Sequence, residues 1–184
     1  ICDWSVSINN PRSMDIKNNI LYALGNEMMV YNLSSTTPSK INCAYNNDIK
    51  NDADASQTSI ALDSSGVNLY VHKSAELRRY VIGSDKCPST SRSAGFQKPQ
   101  QKGIETLGAN RVEGFGFKPG SDTVGYLPVY DDAFYEFTLN ASRTEADMYK
   151  SNASYVGIIP STVSPNKMYV DYPFGLDIDS TNGR

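Results

Sequence analysis

Ser59-Ile60-Ala61-Leu62-Asp63-Ser64-Ser65-Gly66-Val67-Asn68-Leu69-Tyr70-Val71 is the stretch on which the fold turns. A short apolar strand leads into Asp-Ser-Ser-Gly, residues that supply the unusual backbone angles of a tight turn. A second strand follows and carries a tyrosine. A third, ending in Tyr80-Val81-Ile82, carries another. Two more copies of this pattern flank it. Upstream are Met14-Asp15-Ile16, the turn Lys17-Asn18-Asn19, Ile20-Leu21-Tyr22, and Met29-Val30-Tyr31-Asn32-Leu33. Downstream are Gly114-Phe115-Gly116-Phe117, the turn Lys118-Pro119-Gly120-Ser121-Asp122, Val124-Gly125-Tyr126-Leu127, and Phe134-Tyr135-Glu136-Phe137. The tyrosine pairs read as Tyr22/Tyr31, Tyr70/Tyr80 and Tyr126/Tyr135. A fourth copy opens with Tyr172-Pro173-Phe174-Gly175-Leu176-Asp177-Ile178-Asp179 and its turn Ser180-Thr181-Asn182-Gly183, and the sequence ends at Arg184.

Short strands rich in β-branched and aromatic residues, punctuated by turn signals, specify an all-β chain. No stretch sustains a helical period; the Asn-Asn turn between Met14 and Met28-Met29 fits a hairpin better than a helix. Repeats of this length, with three visible strands and room for a fourth in each polar linker (34–57, 83–111 and 143–167), read as β-propeller blades. Residues 87–102, rich in Ser, Pro, Gln and Lys, read as exposed loop. The alternative is a β-sandwich or barrel built from the same hairpins. A propeller needs four to eight blades in a closed ring, and residues 1–184 supply about three and a half. The expectation is therefore one partial propeller unit. A second chain, a homo-oligomer or a further segment of a precursor would complete it.

The chain has 184 residues, 39% of them hydrophobic, and a formal net charge of -3. The apolar content suffices for a core, and the acidic balance lacks the basic footprint of a general nucleic-acid binder. No apolar run is long enough to span a membrane as a helix. Cys2, Cys43 and Cys87 have no zinc or redox spacing and leave one thiol over for a partner, the pairing being open. Asn32-Leu33-Ser34, Asn140-Ala141-Ser142 and Asn152-Ala153-Ser154 are N-glycosylation sequons. Together with an Ile1 start and an Arg184 end, both compatible with processing, they point to a secreted, disulfide-bearing glycoprotein that forms a hetero-oligomer.

Candidate chemistry is sparse. His72 is the single histidine, so a metal site or general base would lack a second imidazole; a locally bonded histidine at a strand end is the plainer reading. Asp177, Asp179 and Asn182 offer alternating oxygen ligands of the kind calcium takes, without the downstream Glu of an EF-hand loop. Asp131 and Asp132, near Glu136, fall at a hairpin tip, and adjacent strand residues point to opposite faces. Asp48, Asp52 and Asp54 belong to a solvated Asn/Asp loop. The tyrosines are expected between blades with their hydroxyls at the rim. No catalytic or cofactor-binding residue is assigned.

Pro173 to Arg184 and Ser59 to Val71 resemble the blade-opening strand of six-bladed propellers of the low-density-lipoprotein-receptor, NHL and gluconolactonase types. Val112 to Pro119, Tyr126-Leu127-Pro128-Val129 and Phe134-Tyr135-Glu136-Phe137 are similar to a blade of the yellow and major royal jelly protein family. That resemblance implies a secreted, often glycosylated six-bladed propeller; some of its members bind small ligands in the central tunnel and others serve structural or storage roles. Lys118 departs from the acid at the blade-opening position that Asp15 and Asp63 hold, and the aromatic–Trp–Thr–Asp strand of receptor propellers is missing. The expected function is a non-enzymatic binding or structural role toward a small ligand or partner chain. The alternatives are a metal-dependent lactonase-type hydrolase built on Asp15, Asp63 and Asp179, and a viral or cell-surface attachment domain.

Overall fold

A computed structural model describes residues 5–44, 49, 58–73, 76–97, 100–101, 116–128, 134–144 and 146–150. They form three sheets. The first runs β1 (Ser13–Lys17), β2 (Ile20–Leu24), β3 (Met28–Asn32) and β4 (Ser39–Ile41). The second runs β5 (Thr58–Leu62), β6 (Asn68–Lys73), β7 (Glu76–Val81) and β8 (Ala94–Gln97). In the third, β10 (Gly116–Phe117), β11 (Val124–Pro128), β12 (Phe134–Leu139) and β13 (Ala146–Lys150) follow in order. There β9 (Gln100–Gln101) adds a parallel outer strand beside β13. Residues 94–97 and 100–101 are strand within the polar linker 83–111, which left room for a fourth strand; composition hid them because backbone pairing with β7 and β13 is indifferent to polar side chains.

Each sheet is an antiparallel meander whose first strand lies innermost: β1 packs beside β5, and β5 beside β10. Four-stranded meanders laid side by side with adjacent inner strands are propeller blades. The chain is all-β, with three blades among the described residues. Asp177, Asp179 and Asn182, in the fourth opening strand, lie outside them.

The turns explain the repeat. Asn18 and Asn19 both have positive φ (51° and 59°), as a two-residue hairpin with the twist of its flanking strands requires. In blade 2 the backbone turns through Gly66 at φ 68°. One hydrogen bond recurs at the same corner of every blade, where the third strand passes the first turn. Leu33 N–H donates to Asn19 O (2.7 Å), Ile82 N–H to Val67 O (2.8 Å), and Leu139 N–H to Thr123 O (2.8 Å).

Both faces of blade 2 are buried. Its rear face meets blade 1, where Ile60, Leu62, Leu69, Val71 and Tyr80 interlock with Ile20, Tyr22, Leu24 and Val30. Ile49, from the linker between them, is buried in the same cluster. Its forward face meets blade 3 through Tyr70, whose ring centroid stands 4.9 Å from that of Phe117; Phe117 in turn meets Phe137 edge-on at 5.4 Å. Register corrects one equivalence drawn from spacing. Tyr31 pairs with Leu21, Tyr80 with Leu69 and Phe137 with Gly125, each the residue before the first tyrosine of its blade. The counterpart of Tyr31 and Tyr80 is Phe137, not Tyr135. All three rings turn rearward.

The tight fit shows at Gly125, where a Cβ would run into the Phe137 ring and the Gly116 carbonyl oxygen. We expect Gly125→Ala to destabilise the protein by roughly 1–3 kcal/mol, the usual range for overpacking a core. Urea unfolding checks this; an unchanged midpoint would show that Phe137 can move aside.

Candidate functional site

The polar side chains at blade openings are engaged between blades. Asp15 Oδ2 accepts the Leu62 N–H of the next blade (2.7 Å), and Asp15 Oδ1 accepts the Ile16 N–H (2.7 Å). Ser13 Oγ accepts the Ile60 N–H (3.0 Å). The inner strand of blade 1 thus holds that of blade 2 with side-chain acceptors, although the two belong to different sheets.

Asp63 closes its own turn and reaches blade 3. Its Oδ1 accepts from Ser65 Oγ–H (2.8 Å) and from the Val67 and Asn68 N–H groups (3.1 and 3.2 Å). Its Oδ2 accepts from Asn68 Nδ2 (2.6 Å) and from Arg143 Nη1 (3.3 Å). The carboxylate is fully buried, and burial of a charge is tolerable only with such pairing. Arg143 Nη2 also reaches Asp122 Oδ2 at 3.4 Å, and Asp122 Oδ1 accepts the Ser65 N–H (2.7 Å). Arg143 itself sits at φ 56°, left-handed backbone that a non-glycine residue rarely adopts. No motif announces Arg143; its role arises only when two turns far apart in sequence meet.

Asp15 therefore belongs to the junction of blades 1 and 2, and Asp63 to the junction of blades 2 and 3. Among the described residues no three His, Cys, Asp or Glu side chains stand together as metal ligands. His72 is the penultimate residue of β6, buried opposite Ser59 and Leu77. Glu136 is half-buried on β12; Asp48, Asp52, Asp54, Asp131 and Asp132 lie outside the described residues.

Among the described residues, the Tyr22 and Tyr31 hydroxyls are part-buried and bonded to main-chain carbonyls. Tyr22 Oη–H donates to Lys86 O across the first junction (3.0 Å), and Tyr31 Oη–H to Ser7 O (3.1 Å). Burial, with the Asp85 charge adding to it, pushes the Tyr22 phenol up to about 12. Burial does the same to Tyr70, where the opposing charges of Arg143 and Asp63 follow. The Tyr70 hydroxyl is buried without a hydrogen-bond partner. A disulfide, Cys43–Cys87, joins the segment after β4 to the turn after β7 and so ties blade 1 to blade 2. Closing a sequence separation of 44 stabilises by about 4 kcal/mol in the chain-entropy picture. Cys2 lies outside the described residues.

The rear face of blade 1 differs from everything above. Leu21, Ala23, Met29 and Tyr31 are covered by Val6, Ile8 and Leu33. Met14 and Ile16, on the same face of β1, are 69% and 53% exposed. Their register equivalents on β5, Ile60 and Leu62, are 3% and 6% exposed, because blade 1 covers them. This flank, apolar and covered by no blade of the described residues, is the candidate interaction site.

No family model matches the chain, and no curated protein matches it in sequence. Solved structures similar to it include a β-propeller domain. The β-propeller domain of Cps50 (Swd1) from Myceliophteria thermophila is 10% identical, with a TM-score of 0.47 over 79% of this chain and 40% of that one. Sqt1 from Saccharomyces cerevisiae is 11% identical, at 0.44 over 77% and 38%. A provisionally assigned 6-phosphogluconolactonase from Bacteroides uniformis is 9% identical, at 0.49 over 79% and 43%. The chain spans about two fifths of the length of these structures. The blade assignment rests on the strand order and register described above.

Deprotonation of a buried tyrosine is disfavoured in the native state, so the unfolded chain releases its phenolic proton first. The stability held by Tyr22 and Tyr70 is intact below pH 10 and declines from there toward pH 12, by at most about 2–3 kcal/mol each. Tyr70→Phe should remove its share of that decline at no cost at neutral pH, since it deletes an unpaired buried hydroxyl. Tyr22→Phe should cost about 1 kcal/mol at neutral pH. Denaturant melts at pH 8 and pH 11 separate the two.

Proposed function

We propose that this chain is part of a secreted β-propeller with a non-enzymatic binding or structural role, its ring completed by further blades from another chain or another segment of the same precursor. The observation that carries the reading is the contrast between Met14 and Ile16 in solvent and Ile60 and Leu62 under a blade, at the same register positions. An apolar blade face left to water has no stable place in a lone soluble domain. Blades bury both faces only between neighbours, as blade 2 does. The Cys43–Cys87 disulfide supports an oxidising compartment, where such bonds form and persist. The engagement of Asp15 and Asp63 as fasteners between blades supports a scaffold over a hydrolase, because each is already bonded to main-chain or guanidinium donors. Calcium at Asp177, Asp179 and Asn182, the yellow-type tunnel and a small ligand within it remain parts of this proposal that the described residues do not reach.

Ile16→Asp should change the unfolding free energy of the chain by less than about 0.5 kcal/mol, as a solvent-exposed substitution does. Ile60→Asp, one blade on, should cost more than about 4 kcal/mol by burying an unpaired charge. Sedimentation of the natural material should give a mass well above one 20.2 kDa chain, and Ile16→Asp should abolish that assembly. A stable wild-type monomer would overturn the reading.

A further inference from the structure

The recurring corner hydrogen bond makes Leu33, Ile82 and Leu139 equivalent positions in the three blades. Asn32 immediately precedes the first of them and Asn140 immediately follows the third, each opening an Asn-x-Ser sequon. Blade 2 has Val81 and Gly83 at the matching places. Both asparagines thus fall at the end of a third strand, on the end face that carries the first turn of each blade. The sequon residues that follow are open to solvent: Ser34, Ala141 and Ser142 are exposed. In each, the carboxamide oxygen is held by its own turn. Asn32 Oδ1 accepts the Ser34 N–H (2.8 Å), and Asn140 Oδ1 accepts the Thr144 N–H (2.8 Å). Asn140 Nδ2 donates to Thr144 Oγ1 (3.1 Å).

We propose that Asn32 and Asn140 both carry N-linked oligosaccharides, which stand on one end face of the propeller. The proposal rests on the secretory reading above, to which the Cys43–Cys87 disulfide contributes independently of the sequons. In the modification, the asparagine Nδ2 forms a bond to the anomeric carbon of a lipid-diphosphate-linked oligosaccharide. The bond from that carbon to the diphosphate oxygen breaks, its electron pair leaves on the lipid diphosphate, and one Nδ2 proton passes to a base of the transferase. The product amide keeps one N–H, which serves the bond to Thr144 at Asn140. Two bulky, solvated chains on this rim exclude a protein partner from it and direct protein contacts to the rear flank of blade 1.

The full chain is expressed through a eukaryotic secretory pathway, and its intact mass and disulfide state are read before and after peptide-N-glycosidase treatment. The expected result is an oxidised Cys43–Cys87 bond and aspartate at both positions 32 and 140 after deglycosylation. Ser34→Ala and Ser142→Ala, which keep the asparagines and their turns, should each remove the mass of one glycan. A secreted, oxidised chain with Asn32 or Asn140 unmodified overturns the proposal while leaving the secretory reading intact. A chain retained inside the cell with Cys43 and Cys87 reduced overturns that reading and the proposal with it.

Discussion

A four-stranded sheet with apolar residues on both faces cannot stand in water by itself, and every feature of this protein answers that constraint. Blade 2 satisfies it fully. Leu69, Val71 and Tyr80 are buried rearward against blade 1, and Tyr70 is buried forward against Phe117. All five residues of β2 are buried, which is the mark of a strand covered on both sides. The rearward ring at Tyr31, Tyr80 and Phe137 is the repeated element of this packing, and Gly125 is the space that the largest approach requires. In blade 1 the corresponding ring, Tyr31, finds only the strap Val6 to Ile8, with its hydroxyl on Ser7 O. The strap covers β2 and β3 and leaves β1 bare. That asymmetry sets the flank of β1 apart from the other described faces.

Packing between blades is nonspecific, and the polar fasteners supply register. Ser13 and Asp15 hold Ile60 and Leu62 by their main-chain amides, so that sliding one inner strand past the other would strand buried donors. Arg143 does the same at the second junction, bridging Asp63 of one blade and Asp122 of its own. The disulfide adds a covalent tie at the outer part of the first junction, beside the turn whose Lys86 carbonyl accepts the Tyr22 hydroxyl. Asp15 and Asp63, the acids at two blade openings, join each blade to the next.

Much of the fold is legible in the sequence, for a physical reason. First and second strands are buried or joined by a two- to six-residue turn, so they print apolar runs and Asn, Gly and Asp signals. The outer strands β4 and β8 are short, and their sequences Ser39-Lys40-Ile41 and Ala94-Gly95-Phe96-Gln97 carry almost no pattern. The parallel strand β9 carries none at all, because its pairing is purely main-chain. Counting tyrosines chose Tyr135 where register chooses Phe137, since an eleven-residue hairpin offset in blade 3 replaces the nine of blade 1. The candidate site was half visible. The incomplete blade count pointed to a missing neighbour, but Met14 and Ile16 read as ordinary strand residues until their equivalents Ile60 and Leu62 were found buried. Arg143 left no trace in the sequence, because its partners lie 80 and 21 positions away.

Methionine oxidation tests the central claim within the molecule itself, because Met14 is exposed on the open flank and Met29, on the same face of the same blade, is buried. Brief peroxide treatment of the isolated chain and of the natural material, read by peptide mass spectrometry, compares the two side chains. The account predicts rapid oxidation of Met14 relative to Met29 in the isolated chain, and protection of Met14 to the level of Met29 in the natural material, where a further blade lies on β1. Met14 as reactive in the natural material as in the isolated chain would contradict it, and would leave a three-bladed unit that keeps an apolar flank in water.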